Sequence, residues 1–194
     1  DSLNGRFAEP QKIQLESDLP AITGELAIDG FIGDRLWKAT GVTLSGGGER
    51  PIFKVSPEGK LIMKYLTIAE GFAETGGGVL NEGTLHVEGV TFLNNTAKIA
   101  GGGLANTEGK ATVINTTFSA NRAGERGGGM AVLDGKVLLS NNTFADNESR
   151  EGSGLYNEGN VRLSNTILAN NLGEADCHST GVFDADSRNN LIVY

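Results

Sequence analysis

The stretch Gly76–Ala97, GGGVLNEGTLHVEGVTFLNNTA, decides the fold because it recurs. It returns as GGGLANTEGKATVINTTFSANRA from Gly101 and as GGGMAVLDGKVLLSNNTFADNES from Gly127. Glycine clusters begin at Gly76, Gly101, Gly127 and Gly152, spaced by 25, 26 and 25 residues. A second marker, Phe-x-x-Asn, falls at Phe92/Asn95, Phe118/Asn121 and Phe144/Asn147, with a variant read at Ile167/Asn170. An acidic residue before glycine supplies a third, at Glu58, Glu82, Glu108, Asp134 and Glu158. Three independent markers keeping one period define a repeat protein.

Periodicity inside the unit selects the kind of repeat. In TLHVEGVTF, Leu85 and Val87 share a face, which Val90 and Phe92 resume after Gly89. KVLLSNNTF does the same with Val137, Leu139 and Phe144, and KLIMKYLTI with Leu61, Met63, Leu66 and Ile68. Alternation of period two, broken by Gly, Asn and Asp, means short strands joined by turns. The absence of a 3.6-residue pattern excludes helical solenoids and leucine-rich repeats, and propeller blades need longer periods. A unit of 25 residues with three short strands fits one coil of a parallel β-helix, an all-β solenoid. Each strand then pairs with its equivalent about 4.8 Å away in the next coil, so like residues stack. Phe92, Phe118, Phe144 and Ile167 are predicted to form an interior column, and Asn95, Asn121, Asn147 and Asn170 an amide ladder at a corner. Thr91, Thr117, Thr143 and Thr166 are predicted to form an outward column.

One domain is expected over residues 1–194, with regular coils over 61–171. GELAIDGF places Leu26 and Ile28 at the positions of Leu61 and Met63. The 35-residue separation implies an inserted loop at about 32–50, within N-terminal coils spanning 1–60. KIQLESDLPAI offers one more strand, and 172–194 loses the period and reads as an irregular closing segment. Six or seven coils would make a rod about 30–35 Å long.

Composition narrows the function classes. A formal net charge of −8 argues against nucleic acid as a partner, because phosphate binding needs a basic face, and against an anionic membrane surface. The 29 glycines, roughly twice the usual share of about 7%, call for many tight turns, not for a linker, since prolines number only 4. The single cysteine, Cys177, excludes an intrachain disulfide framework and is expected to be at least semi-buried. No apolar run approaches the ~18 residues of a membrane helix. The chain opens at Asp1 without a methionine or signal peptide, which reads as a processed or trimmed product and fits export.

The paired GGG[VLM] and FxxN elements resemble the GGA[ILV]/FxxN repeats of chlamydial polymorphic outer membrane proteins. PQKIQLESDLPAITGELAIDG at 10–30, followed by GGG…NEGTLHV…TF, is similar to bacterial extracellular right-handed parallel β-helix proteins. The likeness covers most of the chain. It implies right-handed winding, an extracellular or cell-surface location, and a surface, secreted or adhesin-like role. Members of that group usually carry more β-helix on both sides of such a segment. The resemblance therefore makes head-to-tail stacking of coil ends one expectation, and an excised fragment the other.

Few residues suggest chemistry. Glu58, Glu82, Glu108, Asp134 and Glu158 could form a cation stripe, or be solvated turn residues. His86 and His178 are too few for a zinc site, and Asp176-Cys177-His178 has no second motif to support a nucleophile. No catalytic, cofactor-binding or metal site is expected. Trp37, with Phe31, Arg35 and Lys38 in the inserted loop, is the candidate contact for a glycan or protein partner; its alternative role is to lid the hydrophobic column. Asn94, Asn115, Asn141 and Asn147 lie in glycosylation sequons. The expected function is a non-catalytic structural or adhesive module, self-assembling or presenting a face. The competing expectation is a protein that binds or cleaves extracellular polysaccharide, which would need clustered carboxylates with Lys or Arg.

Overall fold

The computed structural model describes residues 11–31 and 41–193, and every regular element among them is a β-strand. The strands pair in parallel, each with the equivalent strand one coil away, in four sheets of eight, seven, six and three strands. One coil illustrates the path. It runs through Val79–Asn81, Thr84–Glu88, Thr91–Leu93 and Thr96–Ala100, and then meets Leu104–Asn106, which pairs with Val79–Asn81. Four sides are thus visited in turn: an asparagine side (Val79–Asn81), a long-strand side (Thr84–Glu88), a phenylalanine side (Thr91–Leu93) and a short fourth side (Thr96–Ala100). The stack makes about six turns of a β-solenoid, as the repeat markers predict.

Inward residues alternate with outward ones along each strand, and the inward ones form one continuous core. Phe92, Phe118 and Phe144 stack with parallel rings, their centroids 4.7 and 4.5 Å apart. Ile68 continues the column below, and Leu168 and Ile192 above. The predicted position of Ile167 in this column is therefore incorrect. Ile167 pairs with Thr143 on the outer face and is 44% exposed, whereas Leu168 stacks on Phe144. The predicted Asn170 is displaced by the same single residue. It occupies an exposed left-handed corner with φ of 60°, and Asn171 takes the ladder position. Thr166, expected outward, is fully buried beside Asn142. The cause is a corner shortened by one residue, from Leu133–Asp134–Gly135 to Glu158–Gly159, which changes the spacing from 25 to 24. ILANN fits the Phe-x-x-Asn pattern in either frame, and a one-residue slip exchanges the two faces.

The amide ladder is a directed chain of hydrogen bonds. Asn95 donates its side-chain amide to the Ile68 carbonyl and to Asn121 Oδ1, both at 2.9 Å, and Asn121 repeats this toward Phe92 and Asn147. Asn147 donates to Phe118 and Asn171, and Asn171 ends the chain on the buried Asp176 carboxylate at 2.6 Å. A carboxylate only accepts, so it closes a row of donors without leaving an N–H unpaired. A second ladder links Asn81 to Asn106, but Val132 interrupts it, and Asn157 Oδ1 above has no partner among the described residues. The glycine triplets make the tightest corner. Gly76, Gly101, Gly127 and Gly152 all adopt left-handed φ values, and a Cβ on Gly102 would collide with the carbonyl oxygens of Arg122 and Gly128.

The ends differ from expectation. Val42–Ser45, inside the span read as inserted loop, is a strand between Gln11–Gln14 and Leu66–Ala69. The segment 172–194 is not irregular throughout. Cys177–Ser179, Val182–Phe183 and Leu191–Ile192 extend three sheets by one more coil. Glycine-poor, apolar-poor corners hid that coil from the period.

Replacing Asn121 with Ala would strip partners from the Phe92 carbonyl and from both Asn95 donors, an expected loss of about 3 kcal/mol. Thr117→Ala, on the solvated face of the same coil, should stay within about 0.5 kcal/mol of the parent. Denaturant unfolding of both variants checks this, and equal losses would refute the structural weight given to the ladder.

Candidate functional site

Charge on the outer face of the long-strand side is organised in columns, because residues in register lie one coil apart. One column reads Glu25, Lys60, Thr84, Lys110, Lys136, Asn160 and Val182, and the next reads Ala27, Ile62, His86, Thr112, Leu138 and Arg162. A third holds Lys64 beneath Glu88. Opposite charges directly across a strand pair stabilise, and like charges oppose it. Lys60 meets Glu25 at 3.0 Å and Lys64 meets Glu88 at 2.7 Å. The hydrogen bond between Lys64 and Glu88 moves the lysine pKa up and the carboxylate pKa down. Arg162 reaches Asp186 at 3.3 Å. Lys110 and Lys136 lie directly across from one another, and neither has a carboxylate within ion-pair distance among the described residues. They edge an open cleft of about 250 Å³ whose walls include Thr112, Leu138, Asn160, Arg162 and Asp184.

The acidic corner residues do not converge. Glu82 pairs with Lys54 at 3.2 Å, Asp134 accepts from the Gly135 N–H at 2.6 Å, and Glu158 pairs with Arg126 at 3.3 Å. Among the described residues there is no group of three or more His, Cys, Asp or Glu placed to hold a metal ion. Glu58 and Glu108 take no part in any ion pair among these residues. Phe31 is exposed and meets Tyr65 edge-on at 6.0 Å. Trp37, Arg35 and Lys38 lie outside the described residues. Asn94, Asn115 and Asn141 occupy exposed left-handed corners, whereas Asn147 is fully buried in the amide ladder and is closed to glycosylation in the folded chain.

Two features escape a reading of the repeat markers. The first is the Lys110/Lys136 pair. Its signal stood one residue beyond the third marker, in Glu58-Gly59-Lys60, Glu108-Gly109-Lys110 and Asp134-Gly135-Lys136. Only the three-dimensional register separates the neutralised Lys60 from the other two. The second is a cluster on the asparagine side. Arg126 lies over the Tyr156 ring at 5.3 Å, the Tyr156 hydroxyl donates to Glu158 at 2.7 Å, and His178 stacks parallel on Tyr156 at 5.4 Å. Burial, then the bond to Glu158, pushes the Tyr156 pKa up. Arg126, Tyr156 and Glu158 are bonded or stacked on one another and His178 stacks on the tyrosine, so this cluster is a clamp across coils, with Arg126 Nε left without a partner among the described residues.

With this geometry in place, comparison with known families gives a match over residues 55–194 to the family described as right handed beta helix region, and the chain belongs to that family. The solenoid is therefore right-handed. No curated protein and no solved structure matches the chain.

Cys177 faces inward within the last coil, where burial, and secondarily the Asp176 charge, raises its thiol pKa from an ordinary 9.0 to about 11. At pH 8 the folded protein should therefore resist iodoacetamide, and denatured protein should react readily. The unfolded thiol ionises first, so its contribution to stability holds below pH 9 and is lost as pH rises toward 11. Equal labelling of folded and denatured chains would contradict the placement.

Proposed function

We propose that this chain is a rigid solenoid module of an exported, surface-displayed protein. It works by presenting and spacing a face, not by turning over a substrate. The observation that carries the reading is the continuity of the inward ladders. The aromatic and aliphatic column from Ile68 to Ile192 and the amide chain from Asn95 to Asp176 run through successive coils in unbroken parallel register. Nearest-neighbour stacking of this kind resists local opening, because a strand can leave only by exposing the coils on both sides. The family includes structural and polysaccharide-active members alike, so membership supports a scaffold without selecting one use.

End-to-end stacking is part of the proposal. The outermost described strands expose the inward-register residues Ile13 and Leu26 at one end, and at the other leave the inward Phe183 and Ile192 only partly buried. A further coil, from the same polypeptide or another copy, would cover them with the same parallel pairing.

Antibodies raised against the solenoid and applied to intact and permeabilised source cells test the display. Signal on intact cells is expected, and signal only after permeabilisation would refute it. Electron microscopy of native material tests the stacking separately, with rods longer than one chain expected and dispersed single rods counting against it.

A further inference from the structure

The corner between the long-strand side and the phenylalanine side turns through a left-handed residue in six successive coils, in the order Tyr65, Gly89, Asn115, Asn141, Asn165 and Asn189. Glycine and asparagine tolerate that conformation, whereas a bulky side chain is strained in it. Ten non-glycine residues among those described have left-handed φ values, and Tyr65, at 53°, is the one aromatic. Burial in the core does not offset the strain, because Tyr65 is 44% exposed. Its ring lies along Gly89, where a Cβ would come within 2.8 Å of it. Phe31, 57% exposed, meets the same ring edge-on at 6.0 Å. Two large aromatic side chains are thus held together in the open at a strained corner, a combination that points to recognition more than to packing.

We propose that the Phe31/Tyr65 corner docks an arginine side chain of a protein partner. The inference goes beyond the scaffold reading and does not rest on surface display. Charge supplies the complement. Asp29, Lys64 and Glu88 form one outward column beside the rings, two carboxylates to one lysine. Lys64 and Glu88 are joined at 2.7 Å, and the Tyr65 hydroxyl reaches Glu88 at 3.5 Å. Asp29 is exposed and takes part in no ion pair among the described residues. Its Oδ1 accepts the Phe31 N–H at 2.9 Å, which sets the carboxylate beside the phenylalanine and leaves Oδ2 for an outside donor. On a chain of net charge −8, this corner is an acidic edge carrying two aromatic rings. A cation over an aromatic ring is attracted by the ring quadrupole. Guanidinium adds planar stacking and a fork of donors that fits a carboxylate, whereas an ammonium brings only a point charge, so the corner favours arginine over lysine. Exposed aromatic residues and arginine are also the side chains enriched where proteins meet.

The test titrates the full chain with a short arginine peptide, its lysine counterpart and its citrulline counterpart, and follows the backbone amide signals by NMR. Citrulline keeps the planar head group and removes the charge. Saturable shifts at Phe31, Tyr65 and Gly89 are expected with the arginine peptide, weaker binding with lysine and none with citrulline. Tyr65→Leu keeps an apolar bulk without the aromatic face and should weaken arginine binding about fivefold, whereas Tyr65→Phe should stay within about twofold. Asp29→Asn keeps an acceptor for the Phe31 N–H, removes one charge and should weaken binding about threefold. Glu108→Gln removes one charge at an exposed corner elsewhere and should leave binding unchanged. Asp29→Asn against Glu108→Gln decides the matter even where Tyr65→Leu disturbs the corner itself. The proposal is overturned if the arginine peptide shifts no amide at this corner, if the citrulline or lysine peptide binds as tightly, or if Asp29→Asn and Glu108→Gln weaken binding equally.

Discussion

Each side chain in this solenoid has a neighbour that cannot be avoided: the residue at the same position one coil away, about 4.8 Å distant along the parallel ladder. That spacing is fixed by backbone hydrogen bonding, so the sequence can choose only what to stack. Apolar rings and branched chains gain from such a neighbour, which is why Phe92, Phe118 and Phe144 repeat. Asparagine gains too, because one amide both donates and accepts, and the donor direction can be passed from coil to coil. Charges are the group that must be arranged with care. Glu25 under Lys60 and Lys64 under Glu88 satisfy the constraint by alternating in sign.

The same constraint separates scaffold from candidate site. Wherever a column obeys it, as in the ladders and the alternating ion pairs, the residues need nothing from outside the chain. The Lys110/Lys136 stack departs from it in a recess on the surface. The Arg126, Tyr156 and Glu158 cluster looks richer chemically, yet these three groups are spent on each other, and His178 serves as a stacked cover on the tyrosine.

The repeat makes most of the fold legible in the letters alone. Leu26 and Ile28 match Leu61 and Met63 across 35 residues, and the structure pairs them so. Frame was lost where the chain dropped one corner residue before Asn160, because ILANN satisfies the marker in two registers and only the paired backbone distinguishes them. The last coil was missed for a related reason: Cys177–Ser179 and Val182–Phe183 keep the geometry without keeping the marker residues. The cleft was legible only in part. Repetition of Gly-Lys was visible in the letters, whereas the absence of a partnering carboxylate is a property of register and reach.

The shortened corner has a further consequence, for how such a rod can change over generations. A residue lost at Glu158–Gly159 is absorbed where the backbone turns, and the strands on either side resume with the same faces inward. A residue lost inside Asn160–Ser164 would turn the remainder of that strand inside out. Tolerance is therefore concentrated at the corners, and a whole coil is the smallest segment of strand-bearing chain that can be gained or lost silently. Rod length is quantised, and gain or loss of a repeat would change the reach of the molecule in steps of one coil while leaving the interior contacts of the same kind.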